Sequence, residues 1–223
     1  MRPFEEDFKL LNNTLQEMGA LVARSIRRSV FSFIEKNEDF AHQVIRDEAR
    51  VDQLEIQIDD LATSLIVRDQ PVASDMRLVV VAIKISTDLE RMGDLAVNIV
   101  ERSLSLMKQA PLPEPVDFNA LTSTVESMVL GSLAAFSQRD ATLAREIVSS
   151  DDAVDKMRAA IYNQVIAIMQ MEPSCIPRAQ DYLIIARSLE RISDHATNIA
   201  EDVIFLAQGI DVRHRQLEGA PVL

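Results

Sequence analysis

The chain reads LERMGDLAVNIVE at residues 89–101 and LERISDHATNIAE at residues 189–201. These two stretches are 100 residues apart and are identical at eight positions. Core positions can change between copies of a repeat as long as they stay apolar. Identical polar residues are therefore the better indicators of a shared functional site. The chain therefore contains an internal duplication, which predicts two halves of similar structure.

Each copy of the repeat lies in the last of three predicted helices. Five glycines, no Trp and two Tyr among abundant Leu, Ile, Ala, Glu and Arg favour helix over sheet. Apolar periodicity and turn signals predict helices over about residues 4–36, 39–68, 74–108, 118–138, 140–171 and 178–208. Short connections make neighbouring helices antiparallel, so we predict an all-α fold of two tandem, similar antiparallel three-helix bundles.

A proline-rich segment separates the two halves. Residues 110–117 contain three prolines at alternate positions, which cannot continue a helix. We therefore predict a first bundle over 1–110, a linker over 111–117, a second bundle over 118–208 and an irregular tail over 209–223.

Composition narrows the class of protein. The net charge of −12 and the lack of a basic stripe argue against nucleic-acid binding. A single cysteine, Cys175, excludes an intramolecular disulfide. No apolar run approaches the roughly 18 residues needed to span a bilayer, and the N-terminus lacks a signal-peptide pattern. We expect a cytoplasmic protein that is peripheral to the membrane at most.

Pairs of acids one helical turn apart recur in both halves. Glu90 and Asp94 return as Glu190 and Asp194, and an offset of 103 aligns Glu48 and Asp52 with Asp151 and Asp155. The candidate metal ligands are therefore Glu48, Asp52, Glu90, Asp94, Asp151, Asp155, Glu190 and Asp194. Supporting candidates, also repeated, are Asn98, Glu101, Asn198, Glu201, Arg91 and Arg191.

Antiparallel geometry brings these pairs to the same height. Glu48 and Asp94 are equally distant along the chain from Pro71, and so are Asp52 and Glu90. The second-half acids are related in the same way about the junction of residues 172 and 173. Four carboxylates per half should meet in a surface groove along a helical hairpin.

Repulsion between these carboxylates requires compensation by metal ions or by Arg91 and Arg191. Oxygen-only ligands favour hard cations.

The residues LERMGD and LERISD, each followed by Asn-Ile, resemble those of the PhoU family, as does QPVASDMR at residues 70–77. The resemblance covers nearly the whole chain. It implies two similar three-helix bundles whose acid motifs carry multinuclear iron or zinc, or bind Mg²⁺ or Mn²⁺. It also implies a regulator that links the ATPase subunit of the phosphate ABC transporter to the sensor histidine kinase of the phosphate regulon. The broad apolar coverage of the third helix, together with the precedent of this family, indicates a homodimer.

Two other classes of protein remain open. A Mg²⁺-dependent all-α nucleotide pyrophosphohydrolase also uses acids on helices, but it needs a pocket and basic residues, and the sequence indicates neither beside these acids. A helical scaffold without metal would be indifferent to removal of the acids. Because the chain has no P-loop, Ser–His–Asp or Cys–His constellation, we predict that it is not an enzyme.

Overall fold

The computed structural model describes residues 3–70, 73–209 and 212 of the chain, and every described element is helical. The α-helices are α1 (Pro3–Ile34), α2 (Glu38–Asp69), α3 (Ala73–Met107), α4 (Asn119–Gln138), α5 (Ala141–Met171) and α6 (Ile176–Gln208). A single 3₁₀ turn, Pro173–Cys175, precedes α6. Each bound lies within about two residues of the predicted one, so the all-α prediction is confirmed.

Local sequence explains where the helices begin and end. Asn37 caps α2 by accepting a hydrogen bond from the amide of Asp39 at 3.0 Å. Asp140 caps α5 in the same way, accepting from the amides of residues 142 and 143. At the other end of the second half, Gly209 closes α6 in the left-handed conformation, with φ of 71°.

The helices pack as two bundles that share one core. Helices α1, α2 and α3 contact one another, and so do α4, α5 and α6. The halves meet where α3 packs against α6 and α1 packs against α4. Aromatic rings cross this boundary, because the ring of Phe118 lies 5.7 Å from that of Phe33 and 6.2 Å from that of Tyr182. The buried apolar residues of both halves therefore form a single cluster.

Two findings refine the sequence prediction. Helix α6 begins at residue 176, two residues earlier than predicted. Pro177 fits the first turn of a helix, because a backbone amide there has no hydrogen bond within the helix to lose. Helix α3 buries residues on two sides, one against its own bundle and one against α6. The predicted tail lies outside the described residues apart from Gly209 and Val212, and the predicted turn at Pro71 also lies outside them.

None of the described helices is both long enough and apolar enough to cross a membrane.

Candidate functional site

The hairpin of α2 and α3 brings the first-half acids together. The charges of Asp52 and Asp94 both act on Glu48, and those of Asp94 and Asp52 act on Glu90. Glu48 and Glu90 are half-buried, whereas Asp52 and Asp94 are exposed. These four residues, together with Glu55, are called the first acid cluster. Its members lie on the surface at matched heights, as the antiparallel register requires.

Burial and mutual repulsion both disfavour the ionised form of the two glutamates in this cluster. Burial raises the pKa of Glu48 above its usual value, and the neighbouring charges of Asp52 and Asp94 raise it further. Burial likewise raises the pKa of Glu90, with Asp94 as the next cause. The cluster therefore opposes folding at neutral pH unless cations compensate its charge.

Glu55 is the member of the first acid cluster that the sequence analysis missed. Burial raises its pKa, as do the charges of Asp59 and Asp52, while a hydrogen bond with Thr87 on α3 lowers it. Glu55 follows Glu48 at a spacing of seven residues, so the helical period alone could have placed it on the same face. The repeat does not reveal Glu55, because its counterpart in the second half is Arg158.

The hairpin of α5 and α6 holds the second acid cluster, Asp151, Asp155, Glu190 and Asp194. Burial raises the pKa of Asp151, with Asp155 as the next cause, while a hydrogen bond with Ser193 lowers it. Burial also raises the pKa of Asp194, followed by the charges of Glu190 and Asp151. The same convergence of four carboxylates thus occurs in both halves.

A basic residue makes the second acid cluster different from the first. The Nε atom of Arg158 lies 3.7 Å from a carboxylate oxygen of Glu190 and 3.9 Å from one of Asp155. At the equivalent position the first acid cluster has the carboxylate of Glu55. Local charge is therefore more negative on α2–α3 than on α5–α6.

Most of the supporting candidates face the boundary between the halves. Asn98 and Glu101 line a cavity of about 360 Å³ between α3 and α6, together with Arg91 and Arg191. Asn198 borders another cavity at the same boundary. Glu201 is half-buried on α6. Within the described part of the chain, neither Arg91 nor Arg191 forms a salt bridge, although the charge of Arg91 lowers the pKa of Glu90.

Direct polar contacts join the halves along the same boundary. His195 Nδ1 lies 2.9 Å from a carboxylate oxygen of Asp88, and both side chains are largely buried. Lys84 Nζ lies 2.9 Å from a carboxylate oxygen of Asp202. Asp88 follows Lys84 on α3, whereas its partner His195 precedes Asp202 on α6. The two helices are therefore antiparallel.

The chemistry of the first acid cluster fits a hard cation, because it presents only carboxylate oxygens. In the described residues, however, no three His, Cys, Asp or Glu side chains are close enough together to hold a metal ion. Repulsion between uncompensated carboxylates favours such separation. Cation binding would require the side chains of the cluster to move together.

Comparison with known proteins agrees with the duplicated fold. A family model described as the PhoU domain matches residues 15–103 and, separately, residues 118–203. The chain belongs to the PhoU family. The phosphate-specific transport system accessory protein PhoU homolog of Pseudomonas aeruginosa is 35% identical over 212 residues, which cover 95% of this chain and 88% of that protein.

Solved PhoU structures share the whole architecture. The crystal structure of PhoU from Pseudomonas aeruginosa superimposes with a TM-score of 0.88 at 34% identity, covering 93% of this chain and 100% of that one. The phosphate transport system regulatory protein PhoU from Streptococcus pneumoniae gives a TM-score of 0.84 at 26% identity, covering 94% and 99%. The six-helix arrangement described above is therefore that of the PhoU family.

Proposed function

We propose that this chain is a regulatory accessory protein of phosphate transport. One observation carries the proposal: relatives named as phosphate-specific transport system accessory proteins match almost the entire chain, at 35% identity over 212 residues in the example from Pseudomonas aeruginosa. We further propose that it acts in the cytoplasm between the ATPase subunit of the phosphate ABC transporter and the sensor histidine kinase of the phosphate regulon, as a homodimer.

A deletion strain tests the regulatory role. In phosphate-rich medium, loss of this protein should release a phosphate-regulon reporter from repression, and a plasmid copy should restore repression. Binding of the purified chain to the ATPase subunit and to the cytoplasmic part of the kinase would establish the two partners. A reporter that stays repressed in the deletion strain would contradict the regulatory role.

The acid clusters support a second part of the proposal, which is cation binding. Bound cations would offset the burial and the repulsion that together raise the pKa values of Glu48 and Glu90, and would bridge α2 to α3. Oxygen ligands suit Mg²⁺, Mn²⁺ or iron, and zinc less well. We propose that the cations stabilise the hairpin and present positive charge to an acidic or phosphate-bearing partner.

The asymmetry between the clusters sharpens this proposal. Arg158 lies against Glu190 and Asp155 and compensates part of the charge of the second acid cluster, whereas Glu55 adds charge to the first. We therefore expect the first acid cluster to take up more cation than the second.

Elemental analysis by mass spectrometry tests the cation site. The double variant Glu90→Ala with Asp94→Ala should lose more metal per chain than Glu190→Ala with Asp194→Ala. Asp60→Asn is the matched control, because Asp60 is exposed on α2 and none of the shifted acids owes its shift to it. Its metal content should equal that of the unaltered chain. Metal that is absent from the unaltered chain even after incubation with iron, zinc, Mn²⁺ or Mg²⁺ would refute cation binding and leave the regulatory role to be judged by the reporter.

A further inference from the structure

A groove between α5 and α6 is bordered by three guanidinium groups, of which the proposed function uses only that of Arg158. Its volume is about 720 Å³, within the range of about 300–1,000 Å³ typical of small-molecule sites. The three arginines that line it are Arg158, Arg187 and Arg191. They form a local basic region on a chain whose net charge is −12. The sequence indicates neither a pocket nor basic residues beside the acids, whereas in the second half the structure places both there.

Two of the three arginines of this groove are available to a ligand. Arg187 and Arg191 are exposed, and neither forms a salt bridge or hydrogen bond with any residue that the structure describes. Arg158 pairs through its Nε atom with Glu190 at 3.7 Å and with Asp155 at 3.9 Å, and 33% of its side-chain surface stays exposed. Arginine donates in a fixed fork that matches phosphate oxygens, so this set is suited to a phosphate-bearing ligand.

The remaining wall of the groove suits a flat organic group. The phenol of Tyr162 and the side chains of Leu183 and Ile184 line it, together with the amide of Gln180. Tyr162 is 43% exposed and Ile184 is 38% exposed, so both present apolar surface to the groove. An aromatic ring can stack on a nucleobase, and an amide can hydrogen-bond to the edge of a base.

The duplication shows that the groove is specific to the second half. At the positions equivalent to Arg158, Tyr162 and Arg187, the first half has Glu55, Asp59 and Thr87. The acids Glu90 and Asp94 of the first half are nevertheless present in the second half, as Glu190 and Asp194. The same helical hairpin therefore carries an acidic surface in the first half and a groove with both arginines and acids in the second half.

We propose that this groove binds a nucleoside di- or triphosphate. The guanidinium groups of Arg158, Arg187 and Arg191 hold the phosphates, and the base lies against Tyr162, Leu183 and Ile184. Glu190 and Asp194 also border the groove, and their carboxylates can accept a phosphate-bound Mg²⁺. This inference goes beyond the proposed regulatory function, and its outcome leaves the regulatory and metal tests unchanged.

Isothermal titration calorimetry with ADP in Mg²⁺ buffer tests the proposal on the full chain. Arg187→Ala should weaken ADP binding about tenfold or more, since a charge-assisted contact is lost. Arg46→Ala is the matched control, because Arg46 is exposed on α2 and does not line the groove, and its affinity should be unchanged. Both arginines are exposed in helix interiors, so both variants should fold.

A second variant separates the base from the phosphates. Tyr162→Ala should weaken ADP binding about fivefold or more and leave pyrophosphate binding unchanged, because only the base stacks on the ring. Absence of ADP binding, or equal affinities of the Arg187→Ala and Arg46→Ala variants, would overturn the proposal. Pyrophosphate that binds as tightly as ADP, with no effect of Tyr162→Ala, would overturn the assignment to a nucleotide.

Discussion

At the scale of single residues, one position accounts for much of the difference between the two halves. Glu55 and Arg158 occupy equivalent places one turn beyond Asp52 and Asp155. The carboxylate adds to the repulsion in the first acid cluster, whereas the guanidinium relieves it in the second. Equivalent helices of the two halves thus carry acid clusters of different net charge, because one has Glu55 where the other has Arg158.

Glu55→Gln should stabilise the chain at neutral pH in the presence of a chelator. The substitution removes the cost of burying an ionised Glu55 beside Asp59 and Asp52, and it removes a charge that raises the pKa of Glu90. Because the site is substantially exposed, solvent screening limits the gain to below about 1 kcal/mol, or about 2–4 °C in the melting temperature. Differential scanning calorimetry measures it. Asp60→Asn is the control, and an equal effect of the two variants would contradict a specific role for the cluster.

The same variant should show a defined dependence on pH. A carboxyl group whose pKa is raised in the folded state lowers stability at pH values above that pKa. The loss shrinks as the pH falls through the raised pKa and disappears below the unfolded value of about 4.3, because the group is then protonated in both states. The advantage of Glu55→Gln should therefore be largest near pH 7 and vanish below about pH 4. An advantage that grows with acidification would have the wrong sign.

At the scale of the helices, two glycines differ in the space available for a side chain: Gly93 has room for a Cβ atom and Gly19 does not. A Cβ atom added to Gly19 on α1 would come 1.8 Å from a terminal carbon of Leu133 on α4, where the two halves meet. A Cβ atom added to Gly93 on α3 would come 3.4 Å from Val51, which is an ordinary contact. The second half carries Ser193 at the place of Gly93, in agreement with this space.

Gly19→Ala and Gly93→Ala should therefore change stability in opposite directions. Alanine is favoured over glycine within a helix by about 1 kcal/mol, so Gly93→Ala should stabilise the chain by up to that amount. At Gly19 overpacking costs about 1–3 kcal/mol, which exceeds the same gain and destabilises the chain. Urea denaturation measures both. A stabilising Gly19→Ala would mean that Leu133 can change its rotamer without cost, although it is 1% exposed.

At the scale of the whole molecule, the two halves are held together by a packed and partly polar boundary. Helix α3 packs against α6 as extensively as against the helices of its own bundle. Asp88 and His195 meet there in a largely buried contact of 2.9 Å, and Lys84 pairs with Asp202 nearby. The halves are therefore expected to unfold together.

Asp88→Ala tests the polar part of this boundary. Leaving the buried His195 ring without its partner should cost about 1–3 kcal/mol. Glu17→Ala is the matched control, because it breaks the exposed ion pair between Glu17 and Arg50 within the first half, which is worth about 1 kcal/mol or less. Urea denaturation compares the two. An equal loss in both variants would mean that the Asp88–His195 contact adds nothing to the joining of the halves.

Much of the architecture could be predicted from the sequence because it depends on local rules. Capping residues such as Asn37 and Asp140 and the prolines of the linker locate the helix ends, and the repeat reveals two similar halves. Antiparallel register then places acids such as Glu48 and Asp94 at one height. These inferences need only distances along the chain, the helical period and the shortness of the turns.

Tertiary structure alone decided which side chains meet across helices that are distant in the sequence. The packing of α3 on α6 turned Asn98 and Glu101 towards a cavity between the halves, and it paired Asp88 with His195. Within the hairpin of consecutive helices α5 and α6, by contrast, the antiparallel register already places Arg158 beside Arg187, and the packing adds the groove that they line with Arg191. The physical reason is that a helix has several faces, and the angle at which helices cross, which no local pattern encodes, selects the neighbour of each face.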